Sequence, residues 1–259
     1  MVGISIVIPS LNSGAFIGEA IASALQQDYE SLELVIQDGG SSDNTHDIVE
    51  SFSDPRLSFA SEPDRGQTDA INKAIARSTG DWVLWLNADD RLAPGALGSV
   101  RPYLTSETNL IYGNFDVIDS DGKVLKRYRT PHFSFSRILR RGAYIFSGSM
   151  LVRRDLVDEA GGLDFRLRYC MDYDFLLRAA KGARPAYVPV VIGQLREHGM
   201  SKSKANVWGF WKERWIVARR HGLDVRTAAW QQLRMAAYIL SRPLWSSRAW
   251  RRLRPAKEL

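Results

Sequence analysis

The 259-residue chain has one cysteine, Cys170, which excludes a disulfide framework and a thiolate metal site. Stability has to come from burial, and any metal has to be held by oxygen or imidazole, a donor set that favours Mg²⁺ or Mn²⁺ over structural zinc. No run of apolar residues approaches the length of a bilayer-spanning helix, the densest pieces being short ones such as Met235 to Leu240. The start, Met1-Val2-Gly3-Ile4, has no basic segment ahead of its apolar residues, so no secretory signal is expected and a cytoplasmic location is. There is no G-x-G-x-x-G after a strand, no G-x-x-x-x-G-K-[ST], no H-E-x-x-H and no G-x-S-x-G. Dinucleotide-binding, P-loop, zinc-protease and serine-hydrolase readings therefore lack their residues.

What is present is an ordinary globular composition, 45% hydrophobic and 25% charged, with enough length for one large core or two modest ones. The net charge of +6 conceals a split. Residues 200 to 259 carry 14 Lys/Arg against 3 Asp/Glu, a net of +11, which leaves the preceding body at −5, and the same tail holds six of the eight tryptophans. The composition shift places the expected domain boundary at about residue 200, with a catalytic-type body over 1–200 and a basic, Trp-rich tail over 201–259.

The body begins with Ile4 to Ile8, a β-branched run stopped by Pro9, followed by Phe16, Ile17, Ala20, Ile21, Ala24 and Leu25 at helical spacing, with Asn12 or Ser13 placed to cap. Strands at Leu32 to Ile36, Leu57 to Ala60 and Trp82 to Leu86 alternate with helices at Thr45 to Phe52 and around Ala70 to Ile75. This alternation predicts an α/β fold, a mostly parallel sheet with helices on both faces. Further on, the pattern predicts a helix over Pro94 to Leu104 and strands over Leu110 to Ile118 and Lys123 to Leu125. A helix from Arg137, a strand at Ser149 to Val152, a helix from Tyr173 to Ala180 and a strand from Tyr187 to Ile192 follow. A ligand is expected at the carboxyl ends of the parallel strands.

Three polar clusters fall at those ends: Asp38 to Asp43, Glu62 to Gly66 and Asn87-Ala88-Asp89-Asp90. Any one of them has the composition of an ordinary turn; three meeting on one rim point to a site. The last follows a buried strand and could share a hard divalent cation with substrate phosphates.

In order and spacing, Ser5-Ile6-Val7-Ile8-Pro9-Ser10-Leu11-Asn12, Asp38-Gly39-Gly40-Ser41-Ser42-Asp43-Asn44-Thr45 and Ser61-Glu62-Pro63-Asp64-Arg65-Gly66-Gln67 with Ala70-Ile71-Asn72-Lys73 form one series. It continues through Gly80 to Asp90, Gly161-Gly162-Leu163-Asp164, Met171-Asp172-Tyr173-Asp174-Phe175 and Arg196-Glu197-His198. Over residues 3 to 200 this series resembles the family 2 glycosyltransferases, inverting enzymes of the GT-A fold, a Rossmann-like nucleotide-binding architecture. The resemblance implies transfer of a sugar from a nucleotide-sugar donor to a hydroxyl of a glycan or lipid-linked glycan, in cell-surface polysaccharide synthesis. It implies a nucleotide-binding set of Pro9, Ser10, Asn12, Asp38, Asp64, Arg65, Lys73, Asn87 and Asp89. Asp38 in that set could accept from the uracil N3–H, which makes UDP the expected nucleotide and leaves dTDP open.

The family's D-x-D element falls on Asn87-Ala88-Asp89-Asp90, with an amide in place of its first acid, so that Asp89 and Asp90 carry the charge. A Mn²⁺ or Mg²⁺ site of Asp89, Asp90 and His198 is therefore implied, with either carboxylate as the direct ligand. The family's catalytic base falls on Asp172; the glutamate that precedes it is replaced by Met171, which also admits a non-catalytic nucleotide-sugar-binding protein. Without the resemblance, Asp172 is a first-turn helix acid favoured by the macrodipole.

In the tail, Trp208, Trp211 and Trp215 share a helical face and Trp230, Leu233, Ala237 and Tyr238 predict a second helix over Thr227 to Leu240. Such helices could pack on the body, form a homodimer, or lie on an anionic membrane surface, making the protein peripheral on the inner leaflet. Nucleic acid is not an expected partner, because the acidic body offers no second basic surface and no reader motif.

Overall fold

The computed structural model describes residues 2–198 and 206–227, together with Ala229 and Leu233. Its elements in chain order are β1 (Ile4–Ser10), α1 (Ile17–Leu25), β2 (Leu32–Asp38), α2 (Thr45–Glu50), β3 (Leu57–Ser61), α3 (Gln67–Arg77), β4 (Trp82–Trp85) and β5 (Arg91–Leu92). They continue with α4 (Ala96–Val100), β6 (Leu110–Ile118), β7 (Val124–Tyr128), α5 (Phe135–Arg141), β8 (Met150–Arg153), α6 (Arg154–Glu159), α7 (Met171–Ala179), β9 (Pro185–Arg196) and α8 (Val207–Arg220).

All the strands join one sheet in the order β3-β2-β1-β4-β8-β6-β9-β5, with β7 added to β6. The first four are parallel, in register Ile4 with Leu32 and with Trp82, and Leu34 with Leu57. The second half is mixed: β8 runs antiparallel to both β4 and β6, while β6 and β9 are parallel to each other. The fold is thus α/β with helices on both faces, its parallel character concentrated in the half that carries the polar clusters.

Period-two alternation explains the two faces. Ile4, Ile6 and Ile8 of β1, with Leu34, Ile36 and Leu84, face a core closed by α1 and α4. Val7, Val35, Val83 and Trp85 face the opposite core, closed by α3, α5, α6, α7 and α8. Because both faces are covered, β1 and β4 are buried along their whole length.

Several boundaries differ from the sequence reading. The helix expected over Pro94 to Leu104 is one turn of α-helix that tightens into a 3₁₀ turn at Arg101–Tyr103, around Pro102. β9 is longer than its apolar run because it pairs along most of its length with β6. Neither Asn12 nor Ser13 caps α1: the chain turns through Ser13 to Phe16 first, Asn12 bonds across to the loop after β2, and the Ser13 N–H donates to the Thr45 hydroxyl at the start of α2.

The boundary expected near residue 200 does not separate α8 from the body. Val217, Ala218 and Leu223 belong to the same buried cluster as α3 and α7. The second tail helix, over Thr227 to Leu240, lies almost wholly outside the described residues. No helix among the described residues is long and apolar enough to cross a membrane.

Candidate functional site

The parallel register carries Ser10, Asp38 and Ser61 to one rim. The loops leaving it border a cleft of about 850 Å³, within the usual range for small-molecule sites. Pro9, Ser10, Asn12, Asp64, Arg65, Asn87, Asp89, Asp90, Asp172 and His198 all line it. Asp38 and Lys73 are not among its lining residues.

Asp38 instead closes the loop after β2. Its carboxylate accepts from the Ser41 hydroxyl (2.5 Å), the Ser41 and Gly40 main-chain N–H groups (2.8 and 3.0 Å), the Ser61 hydroxyl (2.8 Å) and His46 Nε2 (3.2 Å). Burial alone would raise its pKa, but the bonds from Ser41, Ser61 and His46 outweigh burial and bring it down to about 2. Lys73 is likewise committed to Glu62 and the Pro63 carbonyl (both 3.0 Å).

The ordered β2 loop in turn holds the β1 loop. Asn12, at φ 50°, donates its N–H to the Ser41 hydroxyl (2.7 Å) and accepts from the Ser42 N–H (2.9 Å), and the Gly14 N–H donates to Asp43 (3.0 Å). Within this frame the Ser10 hydroxyl is buried with no hydrogen-bond partner among the described residues, and it borders the cleft.

At the end of β4 the adjacent acids take opposite roles. Asp90 is 1% exposed and accepts from the Arg196 N–H (2.8 Å) and the Asn87 amide (2.7 Å). Burial, and then the charge of Asp89, hold its carboxyl well above the usual range. Asp89 is partly exposed and meets His198 Nε2 at 2.9 Å. Arg196, fully buried, sets this geometry: it donates to the Asp89, Asp119 and Ser120 carbonyls and to Glu19 (2.7–3.1 Å), and stacks on Phe16, which also packs on the His198 ring.

No set of three His, Cys, Asp or Glu side chains converges as a metal cage among the described residues. The Asp89–His198 pair at the cleft suits a hard cation that completes its shell with phosphate oxygens and water, the usual way Mg²⁺ and Mn²⁺ are held.

Asp172 is the second residue of α7 and its Oδ1 accepts its neighbour Tyr173's N–H at 2.7 Å. Burial pushes its carboxyl up, the main-chain bonds of the helix turn oppose this, and the charge of Glu213 adds to the rise. The result is a pKa of about 6, suited to a general base near neutrality.

Two residues of the site were not legible beforehand. Arg196 stood in the Arg196-Glu197-His198 run, and its place there beside His198 was its only signal. Glu213 of α8 accepts from the N–H groups of Arg168, Tyr169 and Cys170 (2.7, 2.5 and 2.7 Å), and its signal was that of an isolated acid in a strongly basic tail.

Residues 5–161 match the family model described as glycosyl transferase family 2. A PGL/p-HBAD biosynthesis glycosyltransferase of Mycobacterium bovis (strain BCG / Pasteur 1173P2) is 30% identical over 205 residues, covering 75% of this chain and 77% of that protein. Among solved structures, that of S. aureus TarS 1-349 in complex with UDP-GlcNAc superposes with a TM-score of 0.70 at 16% identity, over 87% of this chain and 69% of that one. The mannosyltransferase PcManGT of Pyrobaculum calidifontis, in complex with GDP-Man and Mn²⁺, gives 0.63 at 19% identity over 96% and 81%. At those identities the two structures show the fold, the GT-A arrangement, and the sequence matches show the rest: the chain belongs to glycosyl transferase family 2 and is a glycosyltransferase.

Proposed function

We propose that the chain is an inverting, metal-dependent transferase that moves a sugar from UDP-sugar to a hydroxyl of a glycan or lipid-linked glycan, working on cell-surface polysaccharide. The observation that carries this reading is that Asp172 and the Asp89–His198 pair line one cleft, so that a base and an anion-holding site can face the same reacting carbon. Ser10 and Asn12, held by the β2 loop, fit the nucleoside side. Asp89 and His198 would hold Mn²⁺ or Mg²⁺, which when bound supplies charge compensation for the departing diphosphate.

Asp172 accepts the proton of the acceptor hydroxyl as that oxygen bonds to the anomeric carbon. The bond from that carbon to the diphosphate oxygen breaks with its electron pair, and nucleoside diphosphate departs on the opposite side. Asp90 keeps Asn87 and the Arg196 main chain in place and leaves the facing position to Asp89.

UDP is favoured by the likeness to TarS, which is seen with UDP-GlcNAc; PcManGT, seen with GDP-Man, makes GDP the competing nucleotide. Asp38, closed onto its own loop, supports the nucleoside site by shaping it. Calorimetric titration with UDP, GDP and dTDP in Mn²⁺ tests the donor: UDP binding tightest supports the reading, and GDP binding tightest overturns it.

The face of α8 that carries Trp208 (63% exposed), Trp215 (40%) and Ile216 points outward, whereas Arg214, Val217 and Ala218 face the core. An exposed indole stripe beside Lys212 and Arg219 favours peripheral attachment to an anionic leaflet, each basic group near such a surface contributing about 1 kcal/mol.

A further inference from the structure

We propose that Glu213 of α8 is the positioning residue for the base, fixing the turn from which Asp172 enters the cleft; this rests on the reading of Asp172 as the base. Between Asp164 and Cys170 the chain is irregular and takes no part in the sheet, so its main-chain groups need partners from elsewhere. Thr68 of α3 supplies one, donating its hydroxyl to the Leu167 carbonyl at 2.8 Å. The next three N–H groups, of Arg168, Tyr169 and Cys170, all donate to the single carboxylate of Glu213. The Cys170 carbonyl then accepts the Asp174 N–H (3.0 Å) and starts α7. Asp172 is therefore two residues beyond a turn whose conformation is written by a side chain more than forty positions away.

The clamp is itself anchored. Arg214, beside Glu213 and buried, donates to the Arg140 carbonyl of α5 (3.1 Å), and Arg220 and His221 pair with the buried Asp174 of α7 (3.3 and 3.0 Å). Asn206 at the head of α8 donates to the Tyr169 hydroxyl (3.1 Å), and Phe210, one turn before Glu213, lines the cleft. A charged acceptor suits three converging donors, since such bonds are about twice as strong as neutral ones.

The same carboxylate bears on the pH response. The charged and titratable groups that share Asp172's segment or its cleft include Cys170 and Tyr173 beside it, Arg166 and Arg168 before it, Glu213 and Arg214 of α8, and Asp64, Arg65, Asp89, Asp90, Arg196 and His198 on the other walls of the cleft. The charge effect that registers on Asp172 is the repulsion from Glu213. Removing that charge favours ionised Asp172 and moves the acid limb of the rate profile to lower pH.

The experiment measures kcat, donor KM and the pH dependence of kcat/KM for the full chain carrying Glu213→Gln or Glu213→Ala, with Glu50→Gln, the loss of an exposed carboxylate at the end of α2, as a control. Expected are a fall in kcat of tenfold or more, larger for Ala than for Gln, a donor KM within twofold of wild type, an acid limb displaced downward in both variants, and an unchanged control. Amide hydrogen exchange on the wild-type chain is the second arm: the amides of 168–170 should exchange at least a hundredfold more slowly than exposed loop amides. Wild-type kcat and an unmoved acid limb in the Glu213 variants, or loop-rate exchange at 168–170, would overturn the proposal. Transfer that survives Asp172→Asn overturns the base reading instead, so the two failures are distinct.

Discussion

Replacing Asp172 by Asn should make the protein more stable at alkaline pH while it stops working. The carboxyl's pKa is about 6 in the folded protein against 3.8 ordinarily, so folding favours the protonated form. The corresponding stability is fully present below pH 4 and is lost as pH rises through 6. Roughly two pKa units correspond to about 3 kcal/mol. Partial access of Asp172 to water reduces the expected gain of the Asn variant at pH 8 to about 1–2 kcal/mol. The amide oxygen can still accept the Tyr173 N–H, so the variant loses only the charge. Urea unfolding of both proteins at pH 4 and pH 8 reads the effect, because the slope is unchanged when only stability moves. The Asn variant should gain on wild type between the two pH values. Equal differences at both, or a relative loss at pH 8, would refute the claim that the carboxylate sits where ionisation is costly.

The opposite sign is expected at Asp38, whose pKa of about 2 lies below the ordinary 3.8: its contribution, about 2 kcal/mol, is present above pH 4 and lost as pH falls toward 2. Asp38→Asn should lower stability at pH 7 by about that amount, and thermal unfolding at pH 7 and pH 2.5 checks whether the deficit shrinks in acid. Asp89→Ala should remove the tightening of UDP binding by Mn²⁺. Asp90→Ala should cost about 1–3 kcal/mol of stability by leaving the buried Arg196 N–H unpaired, and calorimetry beside denaturation separates these two results. Replacing Trp208 and Trp215 together by Ala should lower co-sedimentation with anionic vesicles severalfold, with salt weakening what remains; wild-type protein staying in the supernatant at low salt would refute the membrane assignment.

The half of the fold that carries the site was legible because β1, β2 and β4 are buried on both faces, so their apolar runs, bounded by turn residues, identify strands directly. The rule that loops gather at the carboxyl ends of parallel strands then brought the clusters holding Asp64 and Asp89 to one rim, and the family resemblance added Ser10 and Asn12, which line the same cleft. What a carboxylate does at that rim was not legible. Asp38 turns inward because Ser61, on a strand 23 residues later, and His46 supply donors. Asp89 and Asp90, equivalent on paper, differ because Arg196 arrives from more than a hundred residues away: its N–H and the Asn87 amide take up the buried Asp90, while Asp89 stays partly exposed against His198. In α8 the tryptophans drew the eye to one face, but the helix is fixed by the other, through Glu213, Arg214, Val217 and Ala218. Their role depends on α5 and α7, which no spacing within the tail encodes.

Sugar transfer by the purified chain, followed with a panel of sugar nucleotides for wild type and Asp172→Asn alongside calorimetric UDP binding, tests the central claim most directly. The account predicts turnover by wild type with a rate that falls below pH 6. Asp172→Asn should lose transfer by a thousandfold or so, within the range ascribed to a general base, and bind UDP in Mn²⁺ as tightly as wild type. Transfer by Asp172→Asn at the wild-type rate, with UDP binding intact, would contradict it.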